Sequence, residues 1–197
     1  MKRFLAVLFA LGFVVGAMAQ RTEKLSSDKQ LKVGYLHLVC QANTNIEYDS
    51  QGNVVKCTPA KGFSFVNAKG FKYVVRSGSP VTFDSQGNIL SFVLGHDAIV
   101  ETGGGDHYIA LYGTQVSFYP SGVVKSFVPK YPIEVKTATG RSFSAQRREP
   151  VEFYEDGSVK SFVTAKAIVL YDSQGKKHSF AVGDKIELTP SGRVVIQ

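Results

Sequence analysis

The chain has 197 residues, 44% of them hydrophobic, and carries a formal net charge of +7. That mixture is ordinary for a globular protein and ample for one compact domain or a short repeat array. The basic residues are spread along the chain rather than gathered in one block interleaved with aromatics, so nucleic acid is not an expected partner.

Residues 1–19 read as an export signal. Lys2 and Arg3 form its charged start, Phe4 to Val15 is a nearly pure apolar run, and Ala17-Met18-Ala19 offers small residues for cleavage before Gln20. A membrane helix needs roughly 20 apolar residues, and here the polar stretch QRTEKLSSDKQ follows at once. No cysteine stands at the cleavage point to take a lipid. The expectation is an exported protein, periplasmic or secreted to the cell surface, with no transmembrane span. Residues 20–33 form a leader of the mature chain, and residues 34–197 form the folded domain.

Cys40 and Cys57 are the only cysteines. In an oxidising compartment two cysteines most simply form one disulfide. They stand 17 residues apart, close to half of the repeat described next, which would bring equivalent edges of neighbouring hairpins together. Closing such a loop contributes on the order of 3 kcal/mol in the chain-entropy model.

Glycines 52, 87, 122, 157 and 192 fall 35 residues apart without insertion. Fixed-period self-similarity of this kind marks a tandem-repeat architecture. Before these glycines come Ile46/Tyr48, Val81/Phe83, Val116/Phe118, Val151/Phe153 and Ile186/Leu188, with Glu47, Thr82, Ser117, Glu152 and Glu187 between them. That is the period-2 alternation of a half-buried strand. The turn segments DSQG, YPSG, YEDG and TPSG follow, with Pro120 and Pro190 where a fixed φ suits a type I turn and Gly where φ is positive. Such a turn is a usual three-residue hairpin connection. The returning strands carry Ser-Phe-Val at Ser91–Val93, Ser126–Val128 and Ser161–Val163. Two adjacent apolar residues there require either a strand covered on both faces or a bulge.

A second glycine series, Gly70, Gly105, Gly140 and Gly175, marks a related hairpin in a shifted register, and Gly34 begins it as a worn first copy. The unit therefore reads as two diverged hairpins, giving about ten hairpins and some twenty short strands in an all-β chain. The expected architecture is an open, elongated array of antiparallel hairpins. A five-bladed β-propeller and a β-sandwich are the alternatives, the propeller being tight because blades commonly need around 40–50 residues.

The modules FYPSGVVKSF and FYEDGSVKSF resemble the hairpins of exported bacterial repeat proteins whose units read roughly FYxxGxxxSxxLA. They are more distantly similar to MORN-type repeats, which also string hairpins into an open sheet. The resemblance covers residues 46–197 and implies an open array with an uncharacterised function. It transfers no catalytic residues.

Chemistry is sparse. His178 occupies the column of Tyr73, Tyr108 and Phe143 and reads as a packing residue. His96-Asp97, Glu101 and Asp106-His107 are the nearest approach to a metal or acid–base cluster, but their spacing matches no zinc pattern. Gly103-Gly104-Gly105 precedes no helix, so the phosphate-cradling reading falls. No metal or other cofactor is expected, and no enzyme activity.

Binding is expected where units depart from one another, because shared positions are explained by shared packing. The departures are Asp106 and His107 in the Gly103–His107 turn, Arg147 and Arg148 before Glu149-Pro150, and Lys176 and Lys177. Tyr119 and Tyr154 beside the turns are candidate aromatics for stacking on sugar rings. The expected function is an exported, non-enzymatic repeat protein presenting a β surface to another protein or an envelope component. The alternatives are a surface protein that binds carbohydrate or an acidic glycan through its basic tips, and an enzyme of unknown type. Open sheet edges also make self-association an expectation.

Overall fold

Each glycine of the two series sits at a reversal of chain direction, with φ between +56° at Gly34 and +86° at Gly52. The computed structural model describes residues 21–196; the expected export signal, residues 1–19, lies outside the described residues. These are all strand and turn, and none forms a helix long and apolar enough to cross a membrane.

The first unit supplies β1 (Arg21–Lys24), β2 (Lys29–Val33), β3 (Leu36–Cys40), β4 (Asn45–Tyr48) and β5 (Val54–Cys57). The second supplies β6 (Phe63–Val66), β7 (Lys72–Val75), β8 (Val81–Phe83) and β9 (Ile89–Val93). The third follows with β10 (Ala98–Glu101), β11 (His107–Ala110), β12 (Gln115–Phe118) and β13 (Val124–Phe127). The fourth has β14 (Ile133–Lys136), β15 (Ser142–Ala145), β16 (Val151–Phe153) and β17 (Val159–Val163), and β18 (Ile168–Tyr171), β19 (Lys177–Phe180) and β20 (Lys185–Glu187) complete the set.

The two hairpins of a unit have different fates. Hairpins around Gly52, Gly87, Gly122 and Gly157 join edge to edge in one ten-stranded antiparallel sheet, ordered β1-β4-β5-β8-β9-β12-β13-β16-β17-β20. The other hairpins, β2-β3, β6-β7, β10-β11, β14-β15 and β18-β19, are separate two-stranded ribbons. Nothing closes the long sheet, so the open hairpin array is the observed architecture.

The ribbons cover one face of the sheet. Inward side chains of both layers form one core, including Ile46, Val116, Phe127 and Ile186 from the sheet and Leu38, Tyr73, Val100 and Leu170 from the ribbons. Tyr73 packs on Phe92 at 5.8 Å between ring centroids, Tyr108 on Phe127 at 5.8 Å and Phe143 on Phe162 at 5.8 Å. Each ring removed from water contributes about 1.5–3 kcal/mol. The column shared by Cys57, Phe92, Phe127 and Phe162 is fully or almost fully buried and pins each ribbon to its own sheet strand.

The broken alternation of the returning strands is settled by a bulge. Tyr48 lies opposite Val54 and Glu47 opposite Lys56, so Val55 is an extra residue, and the same shift recurs at each sheet hairpin. After it Phe92 is buried and Val93 half-exposed on the outer face, as are Phe162 and Val163. The bulge re-aims the strand.

Residues 20–33 are not a leader throughout. Arg21–Lys24 is the first strand of the long sheet, and Lys29–Val33 opens the first ribbon. The reading failed because inward positions of this strand are charged. Arg21 lies 4.3 Å from the centroid of the Tyr48 ring, and Glu23 accepts hydrogen bonds from Tyr48 Oη at 2.8 Å and Lys29 Nζ at 2.6 Å. Inward-pointing charge at a sheet edge discourages pairing with another chain.

Candidate functional site

The strands run between two ends. At one lie all the glycine tips, and at the other lie the loops that cross between sheet and ribbons. The tip end is closed by backbone. Each of the first four ribbon tips presses on the sheet tip of the next unit, so that a Cβ added to Gly87 would lie 2.4 Å from the nitrogen of Gly34. The Gly103-Gly104-Gly105 run serves the same contact: a Cβ on Gly157 would lie 2.1 Å from the nitrogen of Gly104.

Two kinds of turn share this end. Asp49, Asp84 and Asp172 fold their carboxylates back onto amides two and four residues on, at 2.9 Å. Tyr119 and Tyr154 occupy the equivalent place but reach the next hairpin. Tyr119 Oη donates to the carbonyl of Phe153 at 2.9 Å, and Tyr154 Oη to that of Leu188 at 2.7 Å. Both rings are half-buried, and burial raises both phenol pKa values above the ordinary range. Their hydroxyls are thus engaged in holding neighbours together. A tyrosine-walled cleft of about 240 Å³ lies near Tyr119, lined also by Tyr35, Phe65 and Phe118. It is smaller than the 300 Å³ or more of an ordinary ligand pocket.

The remaining tip candidates are scattered. The Asp106 carboxylate accepts from Lys136 Nζ at 3.0 Å. His107 stands 3.6 Å from Glu101 and against the Phe71 ring at 5.7 Å. Asp97 lies at the other end, where it accepts from Lys130 Nζ at 2.6 Å and from the Tyr112 amide at 2.8 Å. His107 and Glu101 thus face each other, while Asp106 and Asp97 are each drawn to a lysine. Among the described residues no three His, Cys, Asp or Glu side chains converge as a metal site. His178 does more than pack: its ring is 2.8 Å from Asp172, whose carboxyl pKa that bond lowers. Lys176 and Lys177 are exposed at the last ribbon tip.

Cys40 and Cys57 meet where the first ribbon joins the sheet. Both are completely buried and appear as free thiols in side-chain contact, which together with burial drives the Cys57 pKa upward. Cys40 is bridged to Pro59 as Val75 is to Leu94, Ala110 to Pro129 and Ala145 to Thr164. The cysteine pair therefore stands at the ribbon-to-sheet position filled elsewhere by Val75 with Phe92, Ala110 with Phe127 and Ala145 with Phe162.

Side chains also reach solvent at the crossover end. In each unit one residue of the returning loop has positive φ and donates its amide to a carbonyl of the outgoing loop. Gly78 donates to Pro59, Gly113 to Leu94, Gly183 to Thr164, and Asn43 to Leu25, all at 2.8–3.0 Å. In the fourth unit this residue is Arg148, with φ +64°, donating to Pro129 at 2.9 Å. A left-handed backbone costs an L-residue with a Cβ roughly 1–2 kcal/mol. Arg147 precedes it, and both are exposed. Neither has a carboxylate within ion-pairing distance among the described residues.

The same loops expose two aromatics that the periodicity reading passed over. Tyr112 and Tyr131 are each 53% accessible. The Arg76 guanidinium lies 5.9 Å from the Tyr112 ring centroid and Lys130 Nζ 5.5 Å from that of Tyr131. The available signal was their place beside loop glycine and proline, Tyr112-Gly113 and Tyr131-Pro132, where the other units carry different residues.

The outer face of the sheet is the third exposed surface. Paired residues across it form one row, Thr22, Glu47, Lys56, Thr82, Ser91, Ser117, Ser126, Glu152, Ser161 and Glu187. At its centre the hydroxyls pair, Thr82 with Ser91 at 2.7 Å and Ser117 with Ser126 at 2.5 Å. At its flanks Lys56 meets Glu47 at 2.8 Å and Lys160 meets Glu152 at 3.3 Å.

Comparisons with protein-family models, with curated proteins and with solved structures found no match.

Proposed function

We propose that this is an exported, non-enzymatic repeat protein that presents a β surface to another protein or to a component of the cell envelope. The observation that carries this reading is the continuous polar row across ten strands, whose central members are short hydroxyl side chains. One face of the sheet is committed to the core, so this row lies on the opposite face, its members other than the buried Ser161 partly or fully exposed, on a scaffold built by repetition. Repeat arrays characteristically use such extended surfaces for binding. The signal-like N-terminus and the likeness of the modules to exported hairpin repeats support the same reading.

In-cell crosslinking of the full chain, followed by mass spectrometry, tests it. The expected result is one stoichiometric partner whose recovery is lost when Ser91 and Ser117 are both replaced by Arg, in a variant that still unfolds cooperatively although the two charges face each other across paired strands. Recovery that is indifferent to that change removes the outer face from the proposal. Turnover of a defined substrate, abolished by His107→Ala, would replace binding with catalysis.

A further inference from the structure

We infer that the crossover loops of the third and fourth units form a binding site for an acidic glycan, with Arg147 and Arg148 as its anion-binding pair. This rests on the scaffold reading above and names the envelope component it takes at this end.

The backbone is the first ground. The position of Arg148 needs a left-handed conformation, and three of the four other units meet that need with glycine. An arginine there is held against a local preference, although its amide bond to Pro129 is one that glycine makes equally well in the other units. What glycine cannot supply is the guanidinium. Strain kept at an exposed loop points to the side chain as the reason for it.

Charge is the second ground. Arg147 and Arg148 are exposed, adjacent and without an ion-pair partner among the described residues, whereas Lys130 beside them is neutralised by Asp97 at 2.6 Å. Glu149 is the one carboxylate next to the pair in sequence, and Arg76 on the neighbouring loop restores the positive excess. Guanidinium groups present a planar fork that matches carboxylate and sulfate.

The exposed rings of Tyr112 and Tyr131 select the polymer. The Leu111 amide bonds the Val128 carbonyl at 2.8 Å, and that of Arg148 bonds Pro129 at 2.9 Å. Tyr112, Tyr131 and the arginines therefore flank one short segment, residues 128–131. A ring with an apolar face and a polar tip suits the face of a sugar. Crossover loops recur every two strands, about 10 Å at the usual strand spacing, so a linear polymer running along this end meets successive loops in line.

The full mature chain, passed over immobilised heparin and over polygalacturonate, tests the site. Sulfate and carboxylate are thereby presented separately on sugar backbones. Arg148→Gly is expected to raise the melting temperature while weakening retention about tenfold, the loss of one charge-assisted hydrogen bond. Arg147→Ala weakens retention without the stabilisation, and Tyr112→Ala weakens it at high salt as well as low. Lys176→Ala with Lys177→Ala, at the opposite end, leaves retention unchanged. Equal retention of Arg148→Gly and the parent overturns the site, as does failure of that variant to gain stability. Arginine-dependent binding to anionic vesicles or single-stranded DNA, with none to either glycan, overturns the ligand class. None of these outcomes alters the Ser91/Ser117 crosslinking result, so the scaffold reading stands or falls separately.

Discussion

At the tip end, Gly157 faces Gly104 so closely that a Cβ would lie 2.1 Å from a backbone nitrogen; at the crossover end, Arg148 sits where Gly78, Gly113 and Gly183 sit in other units. At one end Gly87 and Gly157 are fixed by contact with the main chain of a ribbon tip, whereas tips such as Gly52 and Gly175 stand in open space. The other needs only a backbone conformation and leaves the side chain free to differ. Departures from the repeat therefore carry different weight at the two ends. A change at a tip is constrained by its neighbour, whereas a change in a crossover loop is free to answer to a ligand.

The comparison is broken most directly by alanine at two tip glycines of identical φ. Gly52 and Gly157 both have φ +86°, but only Gly157 has a neighbour within 4 Å. Gly52→Ala is expected to cost about 1–2 kcal/mol from conformation alone. Gly157→Ala adds about 1–3 kcal/mol of overpacking, read as the difference between their urea midpoints. Equal losses would mean that tip-to-tip contact contributes nothing.

At the crossover end the largest effect is chemical. Buried side by side, Cys40 and Cys57 are placed to form the disulfide expected from the sequence, replacing the aliphatic–phenylalanine contact of the other units. Thiol titration of the exported, denatured protein should find no free thiol, and reduction should lower stability by about 3 kcal/mol. Two titratable thiols in that sample would assign the pair to packing alone.

A smaller effect separates two tyrosines of one ribbon column. Tyr108 Oη donates to the Glu134 carbonyl at 2.7 Å, whereas the buried Tyr73 Oη has no partner among the described residues. Burial raises both phenol pKa values, that of Tyr108 to about 12. Tyr108→Phe should cost about 1 kcal/mol, and Tyr73→Phe should be neutral or stabilising, since an unpaired buried hydroxyl is a penalty. Thermal melts of the two variants decide it.

The mildest test is acid. Hydrogen bonds from Asn53, Ser158 and His178 hold the Asp49, Asp156 and Asp172 carboxyls below their ordinary values at the tips, as Lys130 does for Asp97 at the crossover end. A depressed folded value contributes stability that is intact above the unfolded value near 4 and is lost as pH falls through the folded one. Melting temperature should therefore hold from pH 7 to about 5 and decline below about 4. A decline that begins at pH 6 instead would remove these carboxyls as the cause.

Much of the fold was legible because period-2 alternation and turn glycines are local signals. That the two hairpins of a unit part into a sheet and a cover was not legible, since Val81/Phe83 and Phe63/Phe65 show the same alternation while pairing with different neighbours. The strand at Arg21–Lys24 was hidden because its inward residues, Arg21 and Glu23, are charged and find partners only in three dimensions. Arg147 and Arg148 stood out as departures, but the strain at Arg148 is invisible until the loop column is aligned by φ. Tyr119 and Tyr154 looked free because the carbonyls that receive their hydroxyls lie 34 residues on.

Each unit adds two strands to the long sheet and touches chiefly the units before and after it. Duplicating residues 87–121, from one tip to the next, would thus extend the molecule by about 10 Å and leave every existing interface in place. Length in this protein is a counted quantity, set by copy number like the marks on a ruler. Relatives of different reach would differ by whole multiples of the unit, never by fractions.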